Sequence, residues 1–174
     1  MIKRIQEIDR NLSETIRKAP LPVWCYGTFK VFVRFGDGWV WLPVLLAIFL
    51  SKPLNDFWVI TGHCLMALAV SLAFYWPLKL GVRRLRPFQM LSGVTAGVSP
   101  LDRFSFPSGH TMHNLALGLT VGHYFPLSGW VLAAIPVAFG GGRIFFGVHF
   151  LGDIVVGAAL GVCSFQLATW FFLT

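Results

Sequence analysis

The chain has 174 residues and a formal net charge of +7, yet only 12% of its residues are charged while 56% are hydrophobic and 16% aromatic. A soluble domain of this length carries about twice that share of charge, so the composition excludes an ordinary water-soluble fold and places one domain in a bilayer. The positive charge does not mark a nucleic-acid binder, because the Lys and Arg residues flank apolar runs instead of forming a stripe on a soluble face.

Residues 1–18 mix Lys3, Arg4, Arg10 and Arg17 with Glu7, Asp9 and Glu14. They lack the continuous apolar core of a signal peptide. Ile2, Ile5, Ile8, Leu12 and Ile16 recur at spacings of three and four, which predicts one apolar helical face. That face suits an amphipathic helix in the membrane interface, over residues 1–22; the alternative is a helix packed on the chain's own core. Pro20 and Pro22 end it. Residues 23–174 then form a single transmembrane domain, an all-α bundle of about five membrane spans. Runs 57–78 and 154–173 reach the ~20 residues a crossing needs; runs 38–50, 111–125 and 129–142 do so only with flanking polar residues.

Pro43 and Pro136 predict kinks inside spans. Gly157 and Gly161 form a GxxxG pair suited to close packing within the bundle, or to a dimer contact. Trp39, Trp41, Trp58, Trp76, Trp130 and Trp170 lie near span ends, as an aromatic belt does. Cys25, Cys64 and Cys163 show neither metal spacing nor a disulfide framework and read as small apolar residues.

The longest polar interval, 79–110, is too long for a mere connector. Five spans put it on the same side of the membrane as the N-terminus and the 143–149 turn, with 51–56, 126–128 and the C-terminus opposite. Of the fourteen Lys and Arg residues, all but Lys52 fall on the first side, which the positive-inside rule makes cytoplasmic.

Three polar clusters carry the chemistry. Lys79, Arg83 and Arg86 would stack on one face of a continuing helix, where they need an anion between them; the bland reading is a basic helix end at lipid headgroups. Pro107-Ser108-Gly109-His110 opens a span, and free N–H groups at a helix start bind anions, with His110 beside them to move a proton; alternatively it is a simple helix start. His149 and Asp153 stand four apart, so a carboxylate can fix the imidazole tautomer and leave the second nitrogen basic. Arg143, six residues earlier, offers a planar fork for phosphate. A buried His–Asp pair joining two helices is the bland alternative. Cations, N–H groups and two histidines together point to phosphoryl transfer through a phosphohistidine, with no metal site and no cofactor required.

These clusters resemble the phosphatidic-acid phosphatase type 2 superfamily, membrane lipid phosphatases related to vanadium haloperoxidases. Its pattern is KxxxxxxRP, then PSGH, then SRxxxxxHxxxD. It appears here as Lys79…Arg86-Pro87, Pro107-Ser108-Gly109-His110 and Gly142-Arg143…His149…Asp153. Every fixed position matches except one: Gly142 stands where the pattern has Ser. The resemblance implies that His149 attacks phosphorus with Asp153 orienting it, and that His110 protonates the departing oxygen and later helps activate water. It also implies that Lys79, Arg86, Arg143 and the Ser108-Gly109 segment hold the phosphoryl oxygens. The lost Ser hydroxyl removes one hydrogen bond to a charged group, about 1.5–3 kcal/mol. His113 lines the pocket or packs; His63 and His123 match no motif position and are assigned to helix packing or an interface.

The implied activity is removal of a phosphomonoester or diphosphate from a lipid in the cell membrane. Phosphatidylglycerophosphate, a polyprenyl-linked sugar phosphate, undecaprenyl diphosphate and the lipid A 1-phosphate are all compatible with the motifs. A lipid phosphotransferase using the same site, and a non-catalytic lipid-phosphate-binding membrane protein, are the alternatives. Residues 89–102 are expected to contribute to the choice of lipid; the oligomeric state is not readable.

Overall fold

The computed structural model describes the backbone of residues 2–20 and 22–174, and their side chains except at 2, 3, 23, 126–130 and 133. The described residues form eight helices: α1 (Ile2–Arg17), α2 (Val23–Phe35), α3 (Trp41–Ser51), α4 (Leu54–Val82), α5 (Pro87–Met90), α6 (Gly109–Tyr124), α7 (Pro126–Phe145) and α8 (Leu151–Leu173). Among them α4 and α8 are long and apolar enough to cross a membrane by themselves. The expected runs 57–78, 111–125, 129–142 and 154–173 correspond to α4, α6, α7 and α8. The run at 38–50 corresponds to α3, whose 11 residues rise about 16 Å, half of a hydrocarbon core of about 30 Å.

The 13-residue helix α2 was not anticipated as an element. Lys30 and Arg34 interrupt its apolar run, so hydropathy hides it. It lies beside the C-terminal part of α7: Tyr26 meets Phe146 at 5.3 Å and Phe32 meets Phe139 at 4.9 Å. Val33 is fully buried in a cluster with Val98, Phe146 and Val148. After the 36–40 turn, α3 packs against α4 and reaches α6 through side chains. Trp41 Nε1 donates to Asn114 Oδ1 at 2.6 Å, and the following Lys52 sits over the Phe125 ring at the far end. The turn contains Gly38 at φ +115, a conformation that needs glycine.

At the centre is α6, in contact with α4, α7 and α8. Small residues set this closeness. A Cβ added at Gly157 or Gly161 of α8 would lie 2.8 Å from Ser108 O or 2.7 Å from Met112 O, so the GxxxG pair faces α6 within the chain. On α7, a Cβ at Gly140 would lie 2.6 Å from Thr111 Oγ1. These contacts bring the start of α6 against the start of α8, where Ser108 N–H donates to Asp153 O at 3.0 Å.

Pro43 needs no kink, because it stands in the first turn of α3, where no intrahelical N–H bond is lost. Pro136 does lie inside α7, and Pro77 inside α4. His63 ties α4 to α6 and α8 at the end remote from the 83–108 segment. Its ring nitrogens lie 3.0 Å from Tyr124 OH and 3.1 Å from Thr169 Oγ1, the packing role expected of it. Large apolar side chains such as Trp58, Leu65, Trp76 and Leu80 of α4 face outward, unlike the surface of a soluble bundle.

The docking of α1 inverts the pattern of an ordinary amphipathic core helix. Ile5, Ile8 and Leu12 are 59%, 50% and 48% exposed, whereas Ser13 is buried. Helix α1 therefore meets the bundle through polar side chains such as Asp9 and Ser13, and the Ile5, Ile8 and Leu12 part of its apolar stripe does not pack on the chain's own core.

Candidate active site

Lys79 occupies the last turn of α4, which ends at Val82 because Arg83 adopts a left-handed conformation at φ 50. The expected stacking of Lys79, Arg83 and Arg86 on one continuing helix is therefore wrong. Arg83 turns away, donating from Nε to Leu80 O, while Arg86 becomes the N-cap of α5. Both remaining cations are buried and converge on Asp102. Lys79 Nζ donates to Asp102 Oδ1 at 3.0 Å and to Phe104 O at 2.8 Å; Arg86 NH2 donates to the same Oδ1 at 2.9 Å. Tyr75 OH donates to Asp102 Oδ2 at 2.6 Å.

Ser108 is the N-cap of α6, and its hydroxyl accepts from Thr111 N–H. Gly109 allows Tyr75 to approach: a Cβ there would lie 2.8 Å from its ring. His110, in the first turn, has Nε2 2.7 Å from Asp37 Oδ1, in the turn between α2 and α3. Arg143, in the last turn of α7, bonds the same oxygen through NH2. Among the described residues its Nε and NH1 are buried without an acceptor. A buried guanidinium N–H left unpaired is costly, and two such donors are suited to an anion's oxygens.

His149 is 1% exposed and precedes α8, with Phe150 extended between them. The His149–Asp153 pair is therefore not within one regular helix, as the spacing suggested. The carboxylate instead reaches back, placing Oδ2 3.4 Å from His149 Nδ1 and accepting from Phe150 N–H at 2.8 Å. His149 Nε2 faces Arg86 NH1 at 3.3 Å. A proton on Nδ1 leaves the Nε2 lone pair directed to the cationic side. Burial pushes the His149 imidazole down to about 4, against the pull of Asp153, so the ring is neutral near pH 7.

All eight candidate site residues thus fall in one connected region: Lys79, Arg86, Ser108, Gly109, His110, Arg143, His149 and Asp153. Sequence reasoning missed Asp37, Asp102, Tyr75 and Arg84. Asp37 is shared between His110 and Arg143. Burial opposes ionisation of Asp102, but Tyr75, Lys79 and Arg86 hold its carboxyl below the usual range. A cavity of about 310 Å³ opens beside the two carboxylates and His110. Trp41, Leu68 and Leu117 form its apolar wall, with His113 on its lining and bonded through Nδ1 to Ser71 Oγ at 2.7 Å.

A chain with this site has relatives. Residues 61–174 match the PAP2 superfamily. Over 77% of its length the chain is 32% identical to a decaprenylphosphoryl-5-phosphoribose phosphatase of Mycobacterium tuberculosis, spanning 73% of that protein. Over 91% of its length it is 25% identical to a lipid A 4′-phosphatase of Porphyromonas gingivalis, spanning 70% of that protein. The crystal structure of Aquifex aeolicus LpxE superposes with a TM-score of 0.78 at 26% identity, covering 92% of this chain and 94% of that one. With the motifs gathered in one buried cluster and most of the chain matched, the protein belongs to the PAP2 superfamily, the phosphatidic-acid phosphatase type 2 group its motifs resemble.

Proposed function

We propose that the chain is a membrane lipid phosphatase that hydrolyses a phosphomonoester or diphosphate through a phosphohistidine at His149. The observation that carries this reading is the buried placement of His149 between a carboxylate and a guanidinium. Its Nδ1 lies against Asp153 and its Nε2 against Arg86, near an Arg143 that keeps two donors unpaired.

In this mechanism the Nε2 lone pair attacks phosphorus, and the bond from phosphorus to the lipid-side oxygen breaks. His110 gives that oxygen a proton. Water, losing a proton to His110, then attacks the phosphohistidine, releasing inorganic phosphate and neutral His149. Asp37 orients His110 as Asp153 orients His149. Lys79, Arg86 and Arg143 hold the phosphoryl oxygens through N–H groups that their protein acceptors do not use. The Ser108-Gly109 start of α6 adds the positive end of a helix dipole. The apolar wall of Trp41, Leu68 and Leu117 is suited to the lipid portion.

The same reading places the protein in the cell membrane with five crossings: α2 and α3 in succession, then α4, α6, α7 and α8. Helix α1 lies at the interface. The site is on the basic, cytoplasmic side. The two relatives act, by name, on a polyprenyl-linked phosphoribose phosphate and on lipid A, so lipids of those classes lead the candidates.

The test is phosphate release in detergent with EDTA present. The lipids are phosphatidylglycerophosphate, phosphatidic acid, undecaprenyl diphosphate, a decaprenyl-linked sugar phosphate and lipid A, each with wild type and His149→Ala. Turnover that survives EDTA and disappears in the variant is expected. Turnover that persists in His149→Ala would remove the phosphohistidine, and no release from any lipid would remove the phosphatase.

A further inference from the structure

The polar face of α1 docks at the start of α8, immediately behind the His149–Asp153 pair. Phe150, the N-cap of α8, supplies no side-chain cap of its own. Two residues of α1 do that work instead. Asp9 Oδ1 accepts from Gly152 N–H at 2.7 Å, and Ser13 Oγ accepts from Leu151 N–H at 2.8 Å. These amides are among the donors that a helix start leaves without intrahelical partners.

The second oxygen of Asp9 leads further inward. Arg84, from the segment linking α4 to α5, donates from NH2 to Asp9 Oδ2 at 2.7 Å and from NH1 to Asp153 Oδ1 at 2.9 Å. Its guanidinium lies over the Phe150 ring at 4.1 Å, and its backbone carbonyl is tied down by Ser105 N–H at 2.8 Å. A planar fork held at both ends and stacked on a ring has little freedom. Asp153, itself 0% exposed, has one oxygen fixed by Arg84 and the other by Phe150 N–H, with the latter oxygen facing His149. Rotation of this carboxylate would move Oδ2 away from its 3.4 Å approach to His149 Nδ1.

We infer that α1 belongs to the catalytic apparatus: Asp9, acting through Arg84, is a positioning residue for Asp153 and so for His149. The inference rests on the reading of His149 as nucleophile. It assigns Asp9 and Arg84 a function that no motif marks, and it makes turnover depend on the seating of α1.

The test is a double-mutant cycle on the full chain in detergent, using whichever of the five lipids wild type turns over fastest. Asp9→Ala, Arg84→Ala, the double variant and His149→Ala are compared for kcat and KM. Each single substitution is expected to lower kcat about tenfold or more, as loss of an orienting partner does, with KM unchanged within about twofold. The double variant is expected to be no worse than the poorer single variant, because both changes cut one connection. A merely structural cap predicts losses in kcat that multiply, or a kcat near wild type in the folded variants; either overturns the inference. Should Asp9→Ala fail to fold, Asp9→Asn keeps an acceptor for Gly152 N–H while removing the charge that holds Arg84. A lowered kcat then supports the inference, and an unchanged one overturns it. Inactive His149→Ala beside fully active Asp9 and Arg84 variants rejects the positioning role alone, whereas an active His149→Ala rejects the nucleophile itself.

Discussion

Gly142 illustrates how a single side chain can be excluded by a neighbour that motif spacing does not reveal. The family pattern has Ser there, but a Cβ at 142 would lie 2.2 Å from Val33 Cγ2 and 3.2 Å from Phe29 Cζ. Val33 is fully buried and β-branched, so its helical χ1 strongly prefers one rotamer and it retreats only at a cost. Gly142→Ser is therefore expected to cost about 1–3 kcal/mol, as overpacking does. With Val33→Ala in the same chain, the loss should fall short of the sum of the two single losses. Thermal unfolding in detergent measures both; a Gly142→Ser variant as stable as wild type would show that α2 yields easily. His149 supplies a second expectation at this scale. Its pKa is depressed from the ordinary value near 6.5 to about 4 by burial, so the acid limb of kcat/KM should lie near pH 4 instead of pH 6–7. The unfolded chain binds this proton first, so the linked stability is intact above pH 6.5 and is lost as pH falls through about 4. His149→Asn should flatten the dependence of Tm on pH across that window, and a slope unchanged by the substitution would place the titration elsewhere.

Elements were legible where local pattern decides them and hidden where tertiary contact does. The four longest apolar helices follow from hydropathy, and the motif residues within each cluster are held by the helices and turns that set their spacing. Helix α2 was concealed by Lys30 and Arg34, which lie on its exposed side. Asp37, Asp102 and Arg84 carry no local mark at all. Asp37 meets partners 73 and 106 positions away, and Arg84 meets Asp153 at a separation of 69. Lone acidic residues in turns normally read as solvated. For α1, periodicity gave the apolar face, while the finding that polar residues do the docking required the structure. That inversion has a consequence for the element. With Asp9 and Ser13 turned to the bundle, Ile5, Ile8 and Leu12 are free to enter a bilayer surface. Ile8→Glu with Leu12→Glu leaves the docking residues in place. It should lower specific activity several-fold in lipid vesicles while changing it little in detergent. An equal loss in both media would assign the stripe to folding.

The whole molecule buries Lys79, Arg86 and Arg143 among apolar helices, and it can do so because Asp37 and Asp102 stand beside them. A buried cation stripped of its partner is strongly destabilising, since desolvation is then uncompensated. The two carboxylates therefore balance these cations within the folded chain itself, while among the described residues Arg143 Nε and NH1 have no acceptor. In the proposed mechanism, phosphate supplies the same kind of partner to the same cations. It follows that a chain lacking one carboxylate should depend more on phosphate for its stability. Asp102→Asn keeps the shape of the side chain but leaves Lys79 and Arg86 without their counter-charge. In phosphate-free buffer its Tm should fall by several degrees. Added inorganic phosphate should raise it by more than it raises wild type, because at a given concentration a ligand stabilises more the more tightly the folded state binds it. A scan of Tm against phosphate concentration for the two proteins measures this difference. Parallel curves would mean that Asp102 serves Tyr75 and the loop backbone, and that the cations of this site are balanced by Asp37 and Asp153 alone.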